Sequence, residues 1–258
     1  MKLLVCIKQV PDMESRFKPN SSGTWFDEKD LAWRMNEYDE YAVEQAVQIR
    51  EQLGDTAELT VLSIGPDRVV EVIKKALAMG CDRAVHIQDD ASANKDPWQI
   101  AGIIAGHARE QSYDLIFTGM QSQDRGSAQV GVIVAEELGV ACATTLVGFA
   151  YADGIVTAKR ELEGGIKGVA RLDTPALVTC QLGLNSPRYP TLPNIMKAKK
   201  KEILSIPVAD LLKEEPAVTV TSFHPPAKKG GGVVLEGDVG SLVDQLMTIL
   251  KDKTAVLR

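Results

Sequence analysis

Residues 114–131 read DLIFTGMQSQDRGSAQVG. Leu115, Ile116 and Phe117 make a short apolar run of strand length, and Thr118-Gly119 closes it. A polar stretch follows. Val130, Ile133, Val134 and Leu138 then recur at helical spacing, which predicts a helix from about 127 to 138. Strand, polar loop, helix is the unit from which parallel sheets are built.

The same alternation recurs on the N-terminal side. LLVCI (3–7), LTVLSI (59–64) and AVHI (84–87) are continuous apolar runs, the pattern of strands covered on both faces. Between them Ala42, Ala46, Ile49 and Leu53 mark a helix over 37–53. Asn36 stands at its N-cap position, Asp39 and Glu40 at its positive end, and Gly54 at its stop. Gly65-Pro66-Asp67 opens a second helix with Val69, Ile73, Ala76 and Leu77, ended by Gly80; Asp96-Pro97 opens a third. The predicted fold class is α/β: a Rossmann-like parallel sheet with right-handed crossovers and helices on both faces.

Beyond Gly139 the pattern changes. Asp153-Gly154 and Gly164-Gly165 are hairpin signals within a β-rich stretch at about 140–172, and ALVTC (176–180) is expected to return to the main sheet. LNSPRYPTLPNIMKAKKK (184–201) joins Pro187, Pro190 and Pro193 to a basic run. Lys228-Lys229-Gly230-Gly231-Gly232 reads as a flexible joint, and Leu242, Leu246 and Leu250 mark a terminal amphipathic helix that packs on something other than its own core. Three parts are therefore expected: 1–183 as the α/β domain with its hairpin region, 184–201 as a recognition loop with a basic segment, and 202–258 as an arm and helix for a partner.

Composition narrows the function. The 258 residues are 45% hydrophobic and 25% charged, ordinary for a globular chain, and a net charge of −6 argues against nucleic acid or an anionic membrane as partner. No apolar run reaches the roughly 20 residues of a membrane span, so no insertion is expected. The apolar core of the N-terminus, LLVCI, falls short of the about 7–15 residues of a signal peptide. Cys6, Cys81, Cys142 and Cys180 are widely spaced in apolar surroundings and read as reduced core residues of a cytoplasmic, bacterial-type chain. His86, His107 and His224 share no ligand spacing, so no metal is expected.

In an open parallel sheet, ligands sit outside the carboxyl ends of the strands. Four ends face that edge: Cys6-Ile7-Lys8, Ser63-Ile64-Gly65-Pro66, Ile87-Gln88 and Thr118-Gly119. The loop after Gly119 empties into a helix N-terminus, whose free N–H groups and partial positive charge suit a phosphate. Gly126 allows close backbone approach, Ser127 is a donor and Arg125 a charge partner. Two readings stand at this point, because the sequence contains neither GxGxxG nor GxxxxGK[ST]. Either the loop cradles a nucleotide, or its side chains cap the helix and face water. An enzyme acting on a nucleoside triphosphate would need a Mg²⁺ carboxylate and a lysine on the phosphates. Asp124 is the loop's one acidic residue and no lysine lies beside it, so the enzyme reading is set aside. A free-standing nucleotide sensor would need neither the 184–201 stretch nor the tail.

Several stretches together resemble one family, the beta subunits of electron-transfer flavoproteins: VCIKQVPD, MNEYDEYAVEQAV, KKALAMGCDRAVHI, RELEGG and LNSPRYPTLPNIMKAKKK. The similarity runs in order along the chain. It implies a heterodimer with a larger alpha subunit that holds most of a redox-active FAD, while the beta subunit binds AMP. The complex would take electrons from dehydrogenases such as acyl-CoA dehydrogenases and pass them to a membrane quinone oxidoreductase. The beta subunit would be a carrier without catalytic residues of its own.

The resemblance also assigns residues. The AMP site falls on Cys6, on Asn36, Glu37, Tyr38 and Asp39, on Ile64, and on Gly119, Met120, Gln121, Ser122, Gln123, Asp124, Arg125, Gly126, Ser127, Ala128, Gln129 and Val130. Leu192 matches the apolar anchor of the loop that docks on the dehydrogenase, with Tyr189, Pro193, Ile195 and Met196 around it, and the prolines would hold that loop extended. Glu161 matches an acidic residue in interdomain contacts, and the KAKKK run (197–201) would steer an acidic partner. Met13 departs from the pattern, standing where some members place an aromatic residue near the flavin. SAQVG and KQVPD lean towards bifurcating members, which bind a second FAD in place of AMP; RELEGG and SPRYPTLPNIMK match the non-bifurcating type. AMP is the expectation and a second FAD the alternative.

Overall fold

The computed structural model describes residues 1–227 and 230–254. Of the predicted joint, Lys228 and Lys229 lie outside the described residues.

The strands are β1 (Lys2–Ile7), β2 (Gln9–Pro11), β3 (Trp33–Met35), β4 (Glu58–Gly65), β5 (Arg83–Gln88), β6 (Leu115–Gly119), β7 (Ala141–Ala152), β8 (Ile155–Glu161), β9 (Lys167–Asp173), β10 (Ala176–Cys180) and β11 (Ile203–Pro207). The helices are α1 (Glu37–Leu53), α2 (Val70–Met79), α3 (Pro97–Gln111), α4 (Val130–Leu138), α5 (Leu192–Ala198) and α6 (Val239–Lys253). Nine strands form one sheet in the order β11-β5-β4-β1-β6-β10-β7-β8-β9, and β2 and β3 pair separately. All pairings in the large sheet are parallel except β7–β8 and β8–β9. The hairpin region is thus an extension of the main sheet, joined to it where β7 runs parallel to β10.

Alternation along β1 shows why both faces need helices. Leu3, Val5 and Ile7 pack with Ala42, Val43 and Ala46 of α1 and Ile73 of α2, while Leu4 and Cys6 pack with Ile104 of α3 and Val134 of α4. Phe117 is fully buried on the α1 face, a placement that contributes about 2–3 kcal/mol relative to exposure. The chain moves from β1 outward through β4 to β5, then returns to place β6 on the other side of β1. The order therefore reverses between β1 and β6. A crevice opens at the carboxyl ends there, because the connections leave to opposite sides.

Four expectations need correction. α4 begins at Val130, three residues later than the spacing suggests, because Gly126 (φ 61°) and Ala128 (φ 53°) are left-handed and cannot continue a right-handed helix. Asn36 occupies the N-cap position of α1, but its side chain makes no capping bond and turns to another loop. Cys142 is exposed on β7, unlike buried Cys6, Cys81 and Cys180. The 184–201 stretch is not extended throughout: residues 192–198 form α5, capped by Thr191, with Pro193 in the first turn, where a missing N–H costs no hydrogen bond.

Past β11 the chain crosses the start of α3. One oxygen of Asp96 caps α3 at the Gln99 N–H (2.8 Å), and the other accepts the N–H groups of Ala217 and Val218 (2.6 and 2.8 Å). The Phe223 N–H then donates to the Gly23 carbonyl at 2.6 Å. α6 buries none of its residues against the described chain.

Candidate functional site

A cleft opens at the β1–β6 crossover. Its walls include Cys6, Lys8, Asn36, Asp39, Ile64, Gly119, Met120, Gln121, Ser122, Asp124, Arg125, Ser127, Ala128, Gln129 and Val130. Most residues that the sequence assigns to one site are therefore brought together. The β5 end at Ile87-Gln88 is not on the wall.

The polar loop after Gly119 is held from behind by the first turn of α1. Asn36 donates through Nδ2 to the Gln121 carbonyl (2.9 Å) and accepts the Gln123 N–H at Oδ1 (3.0 Å). Gln121 Nε2 donates to the Tyr38 hydroxyl (3.0 Å), and Gln123 Nε2 to Glu37 (2.9 Å). Glu37, Tyr38, Gln123 and Gly126 thus lie behind the cleft surface and shape the loop. Asp39 ties three segments together: its Oδ2 accepts the Lys8 N–H (2.7 Å) and its Oδ1 the Gly119 N–H (3.2 Å). Burial pushes its carboxyl up to about 7, against the opposing effect of Asn36 and the two backbone donors. Gly119 is required at this contact, since a Cβ there would lie 2.2 Å from Asp39 Oδ1 and 2.8 Å from Tyr38 Cβ.

The loop's own chemistry suits an anion. The N–H groups of residues 127–130 find no protein acceptor among the described residues, as befits donors ahead of a helix. Gly131 brings α4 close to the sheet: a Cβ there would sit 2.6 Å from Thr118 Oγ1. Arg125 lies 4.3 Å over the Trp25 ring and donates to the Ala93 carbonyl. Burial lowers its pKa, as it does that of Lys8, where Asp124 opposes the fall.

Sequence reasoning missed two features. A lysine does stand beside Asp124: Lys8 Nζ reaches both its oxygens at 2.7 Å from a position 116 residues earlier. The ground for setting aside a nucleotide-dependent enzyme therefore changes: the lysine is present, but its charge is already matched. The second is an aromatic lip formed by Trp25, Phe26 and Trp33, with Arg68 3.8 Å over the Trp33 ring. Two of the chain's three tryptophans and two of its five phenylalanines fall between 17 and 33, a concentration that could have been read.

The remaining assigned residues lie off the cleft. Glu161 is exposed at the end of β8. Tyr189 and Leu192 are 94% and 72% exposed, Pro193, Ile195 and Met196 are exposed beside them, and Met13 is exposed near the N-terminus. The segment before them is clamped to α1: Arg188 donates to both oxygens of Glu44 (2.8 and 3.1 Å) and to both of Glu51 (2.6 and 3.0 Å). No cluster of metal-ligating side chains and no helix long and apolar enough to cross a membrane occurs among the described residues.

A doubly covered parallel sheet with a polar loop at its switch point defines a Rossmann-like α/β protein. Comparison with known proteins makes that specific. The family model described as Electron transfer flavoprotein domain matches residues 23–211. The electron transfer flavoprotein subunit beta of Bacillus subtilis is 36% identical, with 100% of both chains covered. That of Methylophilus methylotrophus is 33% identical over 98% of each, and that of Mus musculus 36% identical over 92% of this chain and 93% of its own. This chain belongs to the electron transfer flavoprotein family, among its beta subunits.

Proposed function

We propose that the chain is the nucleotide-holding half of a two-subunit electron carrier, with AMP in the cleft at the β1–β6 crossover. One observation carries the reading: loop 119–130 is fixed by α1 while the N–H groups of residues 127–130 find no protein acceptor and Arg125, on the cleft wall, has no carboxylate partner among the described residues. That donor set fits a phosphate, and the close approach at Gly119 keeps the loop's start flush with the sheet. Asn36, Glu37, Tyr38 and Asp39 position the loop; Cys6 and Ile64 supply apolar wall, and Trp25, Phe26 and Trp33 aromatic wall.

A larger alpha subunit would hold FAD, whose ring supplies the redox chemistry when bound. This chain adds no catalytic residue. It gives the partner a preorganised surface, with α6 and the arm as the contacting segment and Glu161 on the hairpin side. Tyr189, Leu192, Pro193, Ile195 and Met196 would meet an acyl-CoA or related dehydrogenase, the lysines after them steering its acidic groups. Electrons would pass on to a quinone oxidoreductase, and the chain would work in the cytoplasm.

The test is to express the chain with and without an alpha subunit and to quantify flavin absorbance and released nucleotide. One FAD and one AMP per heterodimer are expected. Two FAD without AMP would replace AMP by the flavin in this cleft, and ATP turnover by the lone chain would overturn the carrier reading.

A further inference from the structure

The C-terminal arm lies in a groove on α3. Leu211 shares a buried cluster with Ile103, Ile104 and Ala108 of that helix, and a Cβ at Gly106 would lie 3.7 Å from its Cδ2. Gln99 Nε2 donates to the Glu214 carbonyl at 3.1 Å. The Glu214 carboxylate fills the space over Gly102, where a Cβ would come within 2.3 Å of it. Gln99, Gly102 and Gly106 are three and four residues apart and share one helical face. Glycine is a poor helix former, so two on one face need a packing reason, and the arm supplies it.

From this seat the arm runs to the other side of the cleft mouth. One Asp96 oxygen accepts the Ala217 and Val218 N–H groups, and farther along the Phe223 N–H donates to the Gly23 carbonyl. The Phe223 ring lies 6.2 Å from that of Trp25 and 6.3 Å from that of Phe26. Asp96 and Pro97 line the cleft from α3, and Trp25 and Phe26 line it from the lip, so the arm joins two walls of one opening. Residues 219–222, between the two anchors, are exposed, which leaves the hold at the ends. Burial opposes ionisation of Asp96, but the N–H groups of Gln99, Val218 and Ala217 prevail and keep its carboxyl below the ordinary value. Both oxygens therefore act as acceptors.

We infer that residues 211–223 form a strap that holds the lip to the cleft, fastened by Asp96 as a positioning residue, and that lifting of this strap governs how fast a bound ligand leaves. The ligand rests on the nucleotide reading above; the strap rests on the chain's own contacts.

Asp96→Ser separates the two duties of this side chain. Serine caps a helix about as well as aspartate, but its single, shorter oxygen cannot also reach the arm. In the full chain, amide exchange read by mass spectrometry should rise about tenfold in both 211–223 and 12–32, the effect of losing one hydrogen bond to a charged group. Residues 97–111 should keep their protection. Release of AMP from chain refolded with it should quicken by the same factor. Phe223→Ala, which leaves α3 untouched, supplies a second variant should the first not fold. It should raise exchange in 12–32 and AMP release about threefold, as expected for a lost aromatic pair. Faster exchange in the arm alone, with the lip and AMP release unchanged, overturns the strap. Loss of protection throughout α3 overturns it too, by making Asp96 a helix cap only. A parent chain that retains no AMP overturns the nucleotide reading instead, and exchange at the lip then decides the strap by itself.

Discussion

Two loops are fastened to α1 in opposite ways. The 119–130 loop is held at several points by neutral amides, a phenol and a buried carboxylate, and its remaining donors face inward to a concave wall. The 185–196 segment is held chiefly by one guanidinium fork on Glu44 and Glu51, with an added bond from Asn185 to the Tyr41 carbonyl, and it turns its large apolar side chains outward. Many weak ties give a shape that does not yield, as a small ligand requires. A single clamp fixes position while leaving the surface beyond it free to meet a macromolecule. One helix serves both because its first turn and its later turns point to different neighbours.

The contrast breaks most readily at Gly119. Gly119→Ala forces a methyl into Asp39 and should lower stability by about 3 kcal/mol in urea unfolding, the upper part of the range for overpacking. Asp39→Asn should cost about 2 kcal/mol above pH 7, where the ionised carboxylate accepts both N–H groups, since one amide hydrogen must then face a backbone N–H that now has an acceptor. The same variant alters pH dependence. Because the folded carboxyl titrates near 7, well above its ordinary value, the native state keeps a proton that the unfolded chain has released. Asp39 therefore makes stability fall as pH rises from about 4 to about 7, and the asparagine variant should lose that slope.

The clamp should be the milder of the two attachments. Arg188→Ala leaves Glu44 buried without its partner, yet the arginine is 34% exposed, so a loss of about 1–2 kcal/mol is expected rather than the larger cost of a dry pair. Proteolysis within residues 184–191 should accelerate in that variant, while the 119–130 loop stays protected. Leu192→Ser should leave stability within about 0.5 kcal/mol and weaken capture by a dehydrogenase about tenfold, read by surface plasmon resonance. A large stability loss there would mean that the outward face is structural.

The elements of the main sheet were legible because their signals are local. Apolar runs at 3–7, 59–64, 84–87 and 115–117 became strands, and Gly54 and Gly80 ended helices where expected. The edge on which the site residues gather followed from topology, once alternation was read. What stayed hidden depends on contacts between distant residues or on single backbone angles. Nothing near Asp124 announces Lys8, and nothing in SAQV reveals that Ala128 is left-handed and delays α4. The lip at 17–33 has no periodicity to read, being held by one β-bridge, the short β2–β3 pair and ring contacts such as Trp25 on Phe26 at 4.2 Å. Three prolines suggested an extended loop, but one at a helix's first turn is compatible with α5.

The guanidinium resting on Trp25 turns the lip into a built-in optical gauge. Trp33 lies under Arg68 in the same way, whereas Trp98 is exposed at the start of α3. An anion that draws Arg125 away from the indole alters the electric field on one fluorophore of three, so its arrival can be followed in the ultraviolet emission of the unlabelled chain.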